Sequence, residues 1–286
     1  MLEATKIGHL ISMSHEIGKD VAYVQGGGGN TSVKLDNQRM AIKASGIALQ
    51  DVNLHSGIAI VDYIQVNQYH LSPDLSENTY SDSINNFAID SSSKPSIETG
   101  FHALLGNYVI HSHSVFVNVL LCAEQGKDLI LRHFPEAIWV DYRTPGRDLT
   151  LAIKSALESY NNKYEGLIFL ESHGMIASAS TLQTCLNLHE KCNEKVKSLF
   201  HLKDFKVLED PDFLQPDSFL FPDQVIYTGT DQLQAKTKAS LETLSTAQYL
   251  LCAMNEQGLT PKYLSKKQID VLNNMQSEKY RKSLSK

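Results

Sequence analysis

The sequence predicts a layered α/β or α+β domain, and three observations carry that prediction. Strand-like and helix-like segments alternate irregularly along the chain, as they do when helices pack on a sheet. No internal repeat is visible, which excludes a solenoid or a propeller. At 286 residues with 42% hydrophobic content, the chain is long enough for one large domain, or one domain with an extension.

Taken in order, residues 2–24 read as a helix, with Ile7, Leu10, Ile11 and Ile17 at helical spacings. The run GGGGN at 26–30 ends it. Residues 31–35 (TSVKL) and 39–45 (RMAIKAS) read as strands around an LDNQ turn, and 58–66 (IAIVDYIQV) as another strand. Residues 67–94 are rich in Ser, Asn and Asp with little apolar periodicity, and read as a long, partly mobile surface excursion. Ser96 is a fair N-cap for a helix whose first turn holds Glu98, where the helix dipole favours a carboxylate. A strand at 108–113, a helix at 115–124, a short strand at 137–142, a turn at 143–148 and a helix at 148–161 follow. Residues 166–172 (GLIFLES) read as a buried strand and 180–201 as a helix. The domain is expected to close near residue 205. A Pro- and Asp-rich connector at 209–223 then leads to helices near 232–256 and 265–283, dividing the chain into 1–205 and 206–286.

Composition narrows the function. The net charge of −6 leaves no basic footprint for nucleic acid. No apolar run reaches the ~20 residues of a membrane span. The start MLEATKIGHL has no basic, apolar and small-residue sequence of a signal peptide. Cys122, Cys185, Cys192 and Cys252 show no CxxC spacing and read as reduced thiols, so a cytoplasmic protein is expected. Charge is uneven: residues 261–286 carry seven Lys or Arg against Asp270 and Glu278. That tail reads as a solvated basic helix or, more sharply, as a cover for an anionic ligand.

Chemistry concentrates in YVIHSHSVFVNVLLCA, residues 108–123. On a strand, residues i and i+2 share a face, so His111 and His113 project together as two arms of a metal site. A second buried strand, GLIFLESHGMI, reaches His173. Three imidazoles with one open position match a catalytic zinc site, although cobalt, manganese or iron can substitute. A rival cluster, Cys185, His189 and Cys192, lies at i, i+4 and i+7 of an amphipathic helix and reads as packing. His102 is expected to support the site or pack. Glu98 is either a dipole-stabilising first-turn residue or a general base beside a metal, and Glu171 a supporting or surface carboxylate. The glycine run is no P-loop, lacking Gly-Lys-Ser/Thr, and no dinucleotide fingerprint, because it leads into a strand. It is a flexible turn or a nest of N–H groups for an anion, with KASG (43–46) and KPS (94–96) as two further polar loop ends.

Together GGGGNTSVK, KASG, SIETGFHALL, the HxH stretch and LESHGMIA resemble, in that order, the class II aldolase/adducin family over roughly residues 5–205. The resemblance implies a three-layer α/β/α fold on a mainly antiparallel or mixed sheet, a divalent metal that is usually Zn2+, and a homotetramer with sites at subunit interfaces. By the same resemblance His111, His113 and His173 match the metal ligands and Glu98 the catalytic acid/base. Asn30, Ser45, Gly46 and Ser96 match residues around the substrate's phosphate and enediol. Two hydroxyl donors to a phosphate are missing, one in the glycine run and one where Ile97 stands. Tyr142 and Tyr280 are candidates for the family's catalytic tyrosine. The implied activity is metal-dependent retro-aldol cleavage of a ketose, as its 1-phosphate or free, to dihydroxyacetone phosphate or dihydroxyacetone and an aldehyde. Epimerase, dehydratase and decarboxylase activities run on the same scaffold. An adducin-like interaction module is the rival without chemistry, and the intact His and Glu set argues against it.

Overall fold

The computed structural model describes residues 2–69, 83–89, 93–160, 164–211, 218–229 and 237–275. Among these residues seven strands form one mixed sheet: β1 (Asn30–Lys34), β2 (Arg39–Lys43), β3 (Ile58–Asp62), β4 (Tyr108–Ser112), β5 (Ile138–Val140), β6 (Gly166–Leu170) and β7 (Gly174–Ala179). Their order is β3-β2-β1-β4-β7-β6-β5, and every neighbouring pair is antiparallel except β5 with β6. The mainly antiparallel sheet is the expected one. β4 is its central strand and carries the histidine pair.

Alternation along β4 separates two helical layers. Ile110 joins a core with Leu10, Met13 and Ile17 of α1 (Leu2–Gly18) and Cys185 of the long helix Leu182–Leu199. Val109 joins the opposite core, with Phe101 of the helix Thr99–Leu104 and Leu149 and Ile153 of the helix Arg147–Leu157. In chain order the helices are α1, α2 (Tyr63–Tyr69), α3 (Thr99–Leu104), α4 (Val115–Leu121), α5 (Gly126–His133), α6 (Arg147–Leu157), α7 (Leu182–Leu199), α8 (Pro222–Thr228), α9 (Lys238–Glu256) and α10 (Lys266–Asn274). All of α4 is buried. It shares a core with Leu220 and Phe221 before α8 and with Ala247, Leu250 and Met254 of α9. No helix among the described residues is long and apolar enough to cross a membrane.

Several boundaries differ from expectation for local reasons. α1 stops at Gly18, where a Cβ would meet the Gln50 nitrogen at 2.5 Å, so close chain approach decides the end. The strand expected over 58–66 ends at Asp62, because its Oδ1 accepts from the Ile64 and Gln65 amides and starts α2. Ser96 is not the N-cap. Glu98 occupies that position without a capping bond, and Ser96 Oγ instead accepts from the Glu98 amide. The excursion expected over 67–94 is partly core, since Ile84 packs with Met40, Ile42 and Val61; residues 70–82 and 90–92 lie outside the described residues, and the expected mobility with them. α5 and β7 were not expected, and α8 starts inside the supposed connector. The last helix is described only to Asn274, so its expected reach to 283 also lies outside the described residues.

Candidate metal centre

His111 stands near the end of β4, and His113 follows the strand with its amide donating to Tyr23 O at 2.9 Å. His173 comes from the turn between β6 and β7. That turn needs Ser172 at φ 51° and Gly174, whose Cβ would lie 2.3 Å from Ser112 O and 3.1 Å from the His113 ring. Any side chain at 174 would push the pair apart. The three rings form a nearly equilateral set, with centroids 4.9, 5.0 and 5.0 Å apart. All three residues are buried, and their ligand atoms lie within 4.8 Å of one another.

The hydrogen bonds select tautomers. His111 Nδ1 lies 3.1 Å from Met175 O, and a carbonyl can only accept, so Nδ1 carries the proton. His113 Nδ1 lies 2.9 Å from Asp223 Oδ2, which fixes the same tautomer against a carboxylate. Both Nε2 atoms then present lone pairs to each other at 3.1 Å. Two acceptors at that distance repel, and a cation resolves the conflict. Tetrahedral Zn–N bonds of about 2.0–2.1 Å imply N···N edges of about 3.3 Å, so the spacing fits. Burial, then the neighbouring imidazoles, holds the pKa of His111 well below the ordinary value, which keeps it in the neutral, ligating form.

Glu98 completes the cluster. Its Oε1 lies 3.4 Å from His173 Nε2 and 3.6 Å from His111 Nε2, while its Oε2 accepts from Asn30 Nδ2. The backbone of Glu98 sits in the bridge region, φ −88° and ψ 2°, so the side chain turns inward and caps nothing. The register that pairs Asn30 with His111 brings the amide there. Asn30, Ser45, Gly46, Ser96, Glu98, His113 and His173 line one cleft, so the expected substrate-binding residues, Glu98 and two of the three imidazoles meet at a common opening. A wider cavity lies across the glycine run and shares Gly27 and Gly46 with the cleft, but it is lined by none of the imidazoles.

The glycine run is not an open nest. Gly26 N donates to Glu242 Oε2 at 2.6 Å, Gly27 N to the Tyr227 hydroxyl at 3.1 Å and Gly28 N to Gln25 O at 3.0 Å. Its carboxylate is the protein's own. His102 packs behind the site, stacked on Phe101 with Nδ1 2.8 Å from Ser32 Oγ, and burial pushes its pKa down to about 3. Glu171 points elsewhere, accepting from the Tyr142 amide and Lys262. Tyr142 packs against the cluster that holds Ile97, and Tyr280 lies outside the described residues. Two cleft residues were not singled out as site residues from the sequence, although Lys43 opens the KASG loop end. Lys43, almost fully buried, donates from Nζ to the carbonyls of Gly27 and Gly29; its alternation with the core residues Met40 and Ile42 was the available signal. Asp223 had none, lying 110 residues from its partner.

A family model described as Class II Aldolase and Adducin N-terminal domain matches residues 9–198. The curated "Uncharacterized oxidoreductase YuxG" of Bacillus subtilis (strain 168) is 30% identical over 192 residues, 63% of this chain and 27% of that protein. The chain thus spans about a quarter of that relative's length. Among solved structures, the N-terminal class II aldolase domain of a conserved protein from Thermoplasma acidophilum matches with a TM-score of 0.60 and 24% identity. That match covers 68% of this chain and 92% of the other. YgbL from Klebsiella pneumoniae, whose name leaves aldolase, epimerase and decarboxylase open, matches with 0.52 and 19%, over 73% and 97%. At these identities the two structures speak for the fold alone.

Proposed function

Since this chain belongs to the class II aldolase and adducin family, we propose that it performs a metal-dependent retro-aldol cleavage of a ketose or ketose 1-phosphate. The products are dihydroxyacetone or its phosphate and an aldehyde. The observation that carries the reading is the convergence of three imidazole Nε2 atoms and one carboxylate oxygen at the end of the central strand. His111, His113 and His173 would hold a divalent ion, zinc first, which would supply Lewis acidity for the carbonyl chemistry.

The chain's own residues do the rest. Asn30 holds Glu98 by Oε2 and leaves Oε1 on the imidazole side. From there Glu98, as the carboxylate, takes up the proton that the C4 hydroxyl loses as the C3–C4 bond breaks and passes it to the donor carbon, and the reverse direction retraces the path. The amides of Gly26 and Gly27 are taken, so an anionic group on the substrate is met by Lys43, Ser45, Gly46 and Ser96. Lys43 donates to two carbonyls and acts as a fixed cation, so no Schiff base is invoked. Residues 1–205 form the catalytic unit and 206–286 an extension. The enzyme is a homotetramer, which light scattering at micromolar concentration checks.

A panel of ketoses and ketose 1-phosphates, assayed for aldehyde release with and without zinc, tests the reading. We expect release that needs the metal and stops with chelator. Metal-loaded protein that releases no aldehyde but interconverts epimers, or loses water or carbon dioxide from a sugar acid, would replace the aldol step with another on the same centre.

A further inference from the structure

One short stretch of the C-terminal extension grips the candidate centre from outside the family-matched residues 9–198. Asp223, in the first turn of α8, is 3% exposed and lies 2.9 Å from His113 Nδ1. A carboxylate is costly to bury, so a contact of this kind is held by design of the surroundings. Gly28 makes room for it: a Cβ there would stand 2.6 Å from Asp223 Oδ2 and 2.7 Å from His113 Nδ1. One turn on, the Tyr227 hydroxyl takes the Gly27 amide. Val225, Ile226 and Tyr227 also share a core with Ile97, the neighbour of Glu98. The same segment therefore braces both sides of the cleft.

We propose that Asp223 is a positioning residue for the metal centre: it fixes His113 as the Nδ1–H tautomer with Nε2 turned toward the ion, and so couples metal affinity to the docking of residues 218–229. This rests on the three-imidazole site of the preceding reading. A carboxylate behind a ligating imidazole orients the ring and raises its basicity, and losing one typically weakens metal binding about 10–100-fold. Linkage makes the effect mutual, because an ion that binds the docked form better also holds α8 in place. The unit that binds metal then extends past the matched segment into the extension.

The experiment measures zinc affinity of the full chain by competition with a chromophoric chelator, for the unaltered protein, Asp223→Ala, Asp223→Asn and Gly28→Ala. Asp223→Ala should weaken zinc about 10–100-fold. Asp223→Asn, whose Oδ1 still accepts from Nδ1–H, should fall between. Gly28→Ala should weaken zinc with Asp223 intact, by driving a methyl into the contact. The visible absorption of bound cobalt should shift in Asp223→Ala, which a loss of fold stability alone does not produce. In the unaltered protein, zinc should slow amide exchange over residues 219–228, and this readout survives if the alanine variant fails to fold. Equal zinc affinity in all four proteins, or no zinc effect on that exchange, overturns the proposal and leaves the metal site standing. An unaltered protein that takes up no zinc overturns the site itself.

Discussion

His111, His113 and His173 face one side of the sheet around β4, while Cys185, His189 and Cys192 line α7 on the other side, an equal number of potential ligands at similar burial. Their partners differ. In the first set Nδ1 of His111 and His113 is engaged by a carbonyl and a carboxylate, and the Nε2 atoms converge. In the second, His189 Nε2 meets Ser112 Oγ at 2.8 Å and the Asn193 amide at 3.4 Å. The Cys185 thiol donates to Tyr108 O and Ala177 O. Burial pushes the Cys185 thiol up to about 12 and raises that of Cys192 as well, so both stay protonated in the metal-free chain. Among the described residues only His111, His113 and His173 gather their donor atoms within 4.8 Å of one another, so convergence as well as the direction and occupancy of the lone pairs separates the two sets.

That contrast can be broken in four ways. The largest effect is on metal content. Replacing any of His111, His113 or His173 by alanine should take zinc from one per chain to near zero by elemental analysis, whereas His189→Ala should leave it at one. Loss of zinc in His189→Ala would erase the distinction. Next is Glu98→Gln, which keeps the shape and removes the proton acceptor. Turnover should fall about 10²–10⁴-fold, or about 3–5 kcal/mol of barrier, and solvent exchange at the donor carbon should fall with it. A variant with normal turnover and normal exchange takes Glu98 out of the mechanism.

The third effect is on stability against pH. Burial holds His102 and His189 at about 3 in the folded chain, against an ordinary value of about 6.5. Above pH 6.5 neither state is charged and they add no slope. Between 6.5 and 3 the unfolded chain binds protons that the folded chain refuses, so stability falls as pH falls. At pH 5 the loss is about 2 kcal/mol for each. Urea unfolding of metal-free protein at pH 7 and pH 5 reads it, and His189→Leu should remove its share of the slope. The smallest effect belongs to Ser112→Ala, which strips the hydroxyl from His189 but leaves it the Asn193 amide, and should cost about 1 kcal/mol with zinc affinity unchanged. A tenfold weaker zinc site in that variant would mean that the two faces of β4 are not independent.

Much of the site was legible because it is local. Period-two alternation put His111 on one face and Ile110 and Ser112 on the other, and the sheet keeps that separation. Asn30 was readable only through resemblance, because the β1–β4 pairing that brings it to Glu98 joins segments eighty residues apart. The end of β3 was hidden in an Asp62 side chain that outcompetes the strand. β7 was hidden by a reversal at Ser172, a residue type that rarely adopts positive φ. The glycine run looked like an anion nest because its amides do bind a carboxylate, but that carboxylate is Glu242, more than two hundred residues away.

The place of β4 in the sheet has a consequence for how long an ion stays. Three strands flank it on either side, so neither edge of the sheet reaches it. Central strands open only when the whole domain opens, while turns and peripheral helices open alone. His111 is therefore tied to the slowest motion in the molecule. His173 rides on a turn and His113 sits just beyond the strand end. For an ion held as proposed, escape would be sequential: the turn would let go first and the strand last, with early departures reversible as long as His111 kept its hold. The residence time of the metal should follow the opening rate of the β6–β7 turn, which amide exchange at Ser172 and His173 measures independently of any ion.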